Sequence, residues 1–131
     1  MKKWGCTLLA LAFSTSVAAE AESMKIALVK RMYEEVKKTD NSLFVIEQHA
    51  DAVLKNAFKM MQLQEESCLQ ADYMFDSQDP NYSVPIQFYP DKEDVIADLG
   101  YSQVRFKFTY IGGRYKIADV GELKNALLCK E

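Results

Sequence analysis

Histidine occurs once in this chain, at position 49, and the three cysteines include no Cys-x-x-Cys pair. A zinc centre of the usual histidine and cysteine kind therefore has no local ligand set. Also missing are a nucleophile elbow, a glycine-rich phosphate loop and a His-Glu-x-x-His helix motif. Hydrolysis, nucleotide chemistry and metal-assisted proteolysis of those kinds leave no signature, and neither a cofactor nor a metal is expected. No apolar run approaches the roughly 20 residues that span a bilayer. A basic excess is lacking as well: 16 Lys and Arg stand against 19 Asp and Glu, for a formal charge of −3. That balance argues against nucleic acid or an anionic membrane surface as partner. Repeats and low-complexity linkers are absent.

The N-terminus has a secretory pattern. Lys2 and Lys3 are the basic start, Thr7 to Phe13 the apolar core, and Val17-Ala18-Ala19 a small-residue cleavage site. The expectation is a signal peptide over 1–19, a single domain over 20–131 and export to the periplasm of a Gram-negative cell. Cys6 leaves with the signal, as do Lys2 and Lys3, which takes the formal charge from −3 to −5. Cys68 and Cys129 remain, and an oxidising compartment favours joining them. A metal pair or a reactive thiol are the alternative uses of two cysteines.

The stretch Tyr101 to Val120 carries the fold. Two β-branched and aromatic runs flank Gly112-Gly113, a two-residue loop of the kind that closes a tight hairpin. With those glycines as the turn, Tyr110 faces Tyr115 and Phe108 faces Ile117. Val104, Phe106, Phe108, Tyr110, Tyr115 and Ile117 then share one face, and Arg105, Lys107, Thr109 and Lys116 the other. A one-residue slip would destroy that agreement, so the register is specified. The apolar face needs a cover.

Two helices are predicted to supply it. Met24 to Lys38, capped by Ser23, places Ile26, Val29, Met32, Tyr33 and Val36 on one stripe. A second helix, from about Phe44 to Met61, carries a wider stripe of Ile46, Ala50, Val53, Leu54, Ala57, Phe58 and Met61, and is expected to pack directly on the sheet. Leu69 to Tyr89 reads as a loop rich in turn formers, with Tyr73-Met74-Phe75 either a short strand or a buried tuck. Pro85 restricts Val84–Tyr89 to an edge strand. Pro90-Asp91-Lys92 is expected to turn, and Val95–Leu99 to form a strand beside 102–111. Asp119 and Glu122 match a capping box ahead of a short helix over 121–128.

This order, with Cys68-x3-Asp72 leading into Asp76-Ser-Gln-Asp79, Val104-Arg-Phe-Lys-Phe108, Gly113-Arg-Tyr-Lys-Ile-Ala-Asp-Val120 and Leu123-Lys-Asn-Ala-Leu127, resembles an uncharacterised secreted bacterial family of the cystatin-like, nuclear-transport-factor-two-like fold. Tyr115 stands where tryptophan is common in that pattern. The resemblance implies an α+β cone, with N-terminal helices on a twisted antiparallel sheet and a short C-terminal helix. Proteins of this fold serve as enzymes, ligand binders and adaptors, and some secreted ones resemble immunity proteins that neutralise toxins.

Two sites follow. The first is a surface for another protein, made of Tyr73, Asp76, Asp79, Tyr82 and Tyr89, on which exposed aromatics act as anchors. The second is a pocket between sheet and helices, lined by Phe106, Phe108, Tyr110 and Asp119, where an inward carboxylate would be shifted and reactive. Asp119 is also explained as a helix cap, and His49 as a helix-edge residue. Asp72, Asp76 and Asp79 lack the spacing and glycine of a calcium loop. The leading expectation is non-catalytic protein binding by a monomer or homodimer, as an immunity or inhibitor protein against a toxin or envelope enzyme. The alternative is small-molecule binding or catalysis in the pocket.

Overall fold

The hairpin forms in the expected register. In a computed structural model, which describes the backbone of residues 2–130 and the side chains of 17–130, β3 (Gln103–Ile111) and β4 (Arg114–Val120) pair with Tyr110 opposite Tyr115 and Phe108 opposite Ile117. Gly112 and Gly113 make the turn at φ +62° and +79°, where a side chain would clash with its own backbone. β1 (Gln87–Asp91) and β2 (Asp94–Asp98) complete a four-stranded antiparallel sheet in the order β1-β2-β3-β4. With the helices before and after it, the fold is α+β.

The first hairpin departs from expectation. β1 starts at Gln87 rather than Val84 and continues through Pro90 to Asp91, so the turn is Lys92-Glu93. Proline is tolerated there because β1 is an edge strand and its missing N–H faces no partner. Arg105 of β3 then ties the turn down: its two terminal nitrogens donate to Asp91 and Asp94. The Arg105 guanidinium holds the Asp91 carboxyl below the usual carboxylate range.

The inner face of the sheet is covered mainly by α1 (Lys2–Thr39), which meets β1, β2 and β4. Val29, Met32, Tyr33 and Val36 are buried against Val95, Ala97, Val104 and Phe106. Fully burying such side chains is worth about 1.5–3 kcal/mol each. The helix does not begin at Ser23; it runs through that position without a break, so Ser23 caps nothing. Most of the expected signal segment lies outside the residues whose side chains are described. α1 ends where Asp40, at φ +51°, donates its N–H to the Val36 carbonyl. Among the described residues no helix is long and apolar enough to cross a membrane.

The expected second helix is two helices, α2 (Ser42–His49) and α3 (Ala52–Gln62). The chain breaks at Ala50-Asp51 because that dipeptide joins the free edge of β4. Ala50 bridges Ile117, and Asp51 N–H donates to the Ile117 carbonyl at 2.8 Å. Asp51 then caps α3 by accepting from Leu54 N–H at 2.8 Å. The break rotates the stripe, so Val53, expected inside, is 63% exposed while Leu54 and Phe58 are buried. The pair meets the sheet at β4, and the roof is α1.

A β-bulge at Ala118 changes the last strand. Phe108 pairs with Ile117, but Lys107 pairs with Asp119 and Phe106 with Val120. The extra residue lets Ile117 and Val120 both point into the core. It also puts Asp119 beside Lys107, on the face opposite Phe106, so the expected inward carboxylate is not there. The capping box does not form either. Asp119 Oδ1 accepts from Lys124 N–H at 2.9 Å, Glu122 makes no cap bond, and α4 is limited to Leu123–Leu127. Leu123 and Leu127 of α4 are fully buried in the common core.

Candidate functional site

Between α3 and β1, residues 63–86 contain no helix or strand, yet they are held at many points. Cys68 and Cys129 are joined in a disulfide, with Cα atoms 5.4 Å apart, which fastens the start of the loop to the end of the chain. Asp72 organises the middle. Its Oδ1 accepts from Met74 and Phe75 N–H at 2.9 and 3.1 Å, and its Oδ2 accepts from the Ser42 hydroxyl at 2.6 Å. Asp72 and Ser77 also exchange backbone bonds. Tyr73-Met74-Phe75 is thus a tuck rather than a strand, with Met74 and Phe75 wholly buried.

Three other elements reach in. From α1, the Tyr33 hydroxyl donates to the Met74 carbonyl at 2.5 Å. Burial pushes that hydroxyl above the usual phenolic range, and the Asp72 charge adds to the effect. From the β2–β3 turn, the Tyr101 hydroxyl donates to the Phe75 carbonyl and the Ser102 hydroxyl to Asp76 Oδ2. Asp76 has φ +47°, a left-handed conformation that a side chain other than glycine adopts at some cost. Phe75 makes edge contacts with Tyr33 and Tyr82, with ring centres 5.2 and 5.1 Å away.

The five residues expected to form a protein-binding surface are not one patch. Asp76 and Asp79 are exposed. Tyr82 is half-buried on Phe75, its hydroxyl directed to the Asp40 carbonyl. Tyr73 lies half-buried beside the disulfide, in a cleft of about 410 Å3 shared with Gln70, Glu122 and Asn125. Tyr89 sits on the outer face of β1, opposite Ile96. Tyr101 is the aromatic next to the exposed aspartates, through the bonds of Tyr101 and Ser102 to Phe75 and Asp76, and it is 59% exposed.

Nor do Phe106, Phe108, Tyr110 and Asp119 enclose a cavity. Phe106 is completely buried with Tyr33 against its ring, and Tyr110 is 60% exposed near the hairpin tip. Phe108 is half-buried under the Lys25 ammonium, 5.6 Å from the ring centre. Burial raises the Asp119 carboxyl above its ordinary range, while the N–H groups of Lys124 and Val120 pull it down; that is the signature of a cap. Among the described residues no three His, Cys, Asp or Glu side chains converge as metal ligands would.

Sequence reasoning missed a cleft of about 520 Å3 between α1, α2 and β4. Met24, Leu28 and Arg31 of α1, His49 of α2, and Arg114, Tyr115 and Lys116 of β4 border it. His49 Nε2–H donates to Glu35 Oε1 at 2.6 Å. The alternation of Arg114 and Lys116 was visible in the sequence. That they border the same cleft as Arg31 depends on how α1 crosses the sheet, which no local pattern specifies.

No protein-family model, curated protein or solved structure matches this chain.

Proposed function

We propose that this chain is an exported, non-catalytic protein-binding domain of the cystatin-like, nuclear-transport-factor-two-like kind, which occludes a toxin or envelope enzyme with the 63–86 loop. One observation carries the reading: a long segment without helix or strand is pinned from α1, α2, the β2–β3 turn and the C-terminus. Loops beyond about 12–15 residues that lack regular structure are usually functional or disordered, and this one is ordered. A pre-organised loop binds without a large ordering cost. Its exposed Asp76 and Asp79, with the Tyr101 ring of the adjoining β2–β3 turn, make a combination suited to a basic patch on the partner. The filled interior around Phe106 supports surface binding over an internal pocket. The N-terminal secretory pattern and the disulfide support a periplasmic setting.

Cross-linking of the tagged protein in its native periplasm, with mass-spectrometric mapping of the linked residues, identifies the partner and the face it meets. The Asp76→Asn, Asp79→Asn double variant removes both charges, and asparagine tolerates the left-handed conformation at 76. We expect unchanged melting and about tenfold or greater loss of affinity for the cross-linked partner. Unchanged affinity, or links confined to other faces, overturns the proposal.

A further inference from the structure

We infer that the Cys68–Cys129 bridge is a modification site, reduced by a dithiol oxidoreductase of the Cys-x-x-Cys kind, and that its opening frees residues 65–71 while the rest of the fold stands. The inference concerns the bridge alone and does not depend on what the 63–86 loop binds.

Access comes first. Exchange between a thiolate and a disulfide is limited by approach to the sulfurs, and exposed bridges are the labile ones. Cys68 and Cys129 are both exposed. The cleft of about 410 Å3 that holds Tyr73 runs beside the two of them, with Gln70 on the loop and Asn125 and Ala126 of α4 along it. A space of that size admits a few side chains of an approaching protein loop. The chemistry balances with that one reactant. A thiolate of the oxidoreductase bonds one bridge sulfur as the S–S bond breaks, and the other sulfur leaves as a thiolate and is protonated. The second thiolate of the oxidoreductase then displaces the first. Its own cysteine pair ends as a disulfide, and Cys68 and Cys129 gain two electrons and two protons.

The ties on either side set how far the change spreads. Leu63 and Gln64 N–H groups donate back to the Met60 and Met61 carbonyls, and the next backbone bond along the chain runs from Asp72 N–H to Ser77. Among the described residues, 65–71 make no backbone bond to the rest of the fold. Apart from the bridge, the half-buried Leu69 side chain is what holds this stretch to the core. Four residues after Cys68, Asp72 takes the Ser42 hydroxyl, and the Tyr33 and Tyr101 hydroxyls hold Met74 and Phe75. None of these bonds runs through the bridge. Two residues before Cys129, Leu127 is fully buried. Opening is therefore confined to a short arm between anchored points. Cys129 itself sits at φ +55°, the left-handed region that favours glycine, so the freed chain end has a less costly conformation to relax into.

The test uses the full chain with Cys6→Ser, so that only the bridge can react, and thioredoxin as the probe. A thioredoxin whose second cysteine is changed to alanine stops at the mixed disulfide. We expect that trapped species on Cys68 or Cys129 under native conditions. Reduction by intact thioredoxin should be at least about tenfold faster than global unfolding and insensitive to mild urea. In the reduced chain, amide order parameters over 65–71 should fall below about 0.6, while those of β2 and β3 stay at about 0.85. Reduction only at the rate of global unfolding overturns the inference, as does failure to trap the mixed disulfide. So do unchanged order parameters over 65–71, or a reduced chain whose sheet loses its order as well.

Discussion

Asp51 joins three parts of the molecule through one side chain and its own N–H. The carboxylate accepts from Leu54 N–H and from the Thr109 hydroxyl, both at 2.8 Å, while the N–H donates to Ile117. Asp51→Ala should lower stability by about 2–3 kcal/mol, because a cap is lost and a half-buried hydroxyl loses its acceptor. Asp51→Asn, which keeps an acceptor for the cap, should lose about 1 kcal/mol; urea midpoints at constant slope measure both. Tyr33 makes a pH prediction. Its ionisation is raised in the folded state, so the stability it contributes is complete below the unfolded value, near pH 10, and falls as pH rises beyond it. Tyr33→Phe should be less stable than wild type at pH 8, and the gap between the two should shrink at about pH 11. Neither role was visible in the sequence. The apolar spacing from Ile46 to Phe58 continues across Ala50-Asp51, so the break had no local signal. It comes from a backbone bond to a strand more than 60 residues further on.

At the level of elements, the β3–β4 hairpin was the most legible part. Its turn requires two positive φ angles, and glycine is the residue that meets this without strain. Gly112→Ala and Gly113→Ala should each cost about 1–2 kcal/mol with no new contact to offset the strain, as thermal unfolding would record. The helix stripe of α1 was readable for the same reason: its period is set by the backbone, and the apolar residues follow it. The bulge was not. Strict alternation from Tyr115 predicts Asp119 inward, and only the apolar pair Ile117 and Val120, three residues apart, hinted at a slipped phase. With that slip went the candidate catalytic carboxylate, since one inserted residue exchanges the faces of everything beyond it.

For the molecule as a whole, the cysteine pairing was legible by counting, because outside the N-terminal secretory pattern the sequence holds two cysteines, and a bridge is their simplest use. The Cys68→Ser, Cys129→Ser double variant removes a link across 61 residues and should lose about 2–4 kcal/mol, read as a lower unfolding midpoint. What the cross-link and the Asp72 bonds do to the loop was hidden, since rigidity arises from partners distant in sequence. The cleft beside β4 was hidden for the same reason: Arg31 and Arg114 are ordinary surface residues until α1 is laid against the sheet.

The pinned loop has one more consequence. Exposed irregular segments are where peptidases normally nick a domain first, because a cleavable stretch must detach and extend to enter the enzyme. Between Cys68 and Tyr82 this chain has little slack to lend, so digestion of the oxidised protein should follow global unfolding, whereas reduction should open a cut near Tyr73 while the sheet still stands. A domain exposed to a degradative environment would gain its working lifetime from the same ties that shape its surface.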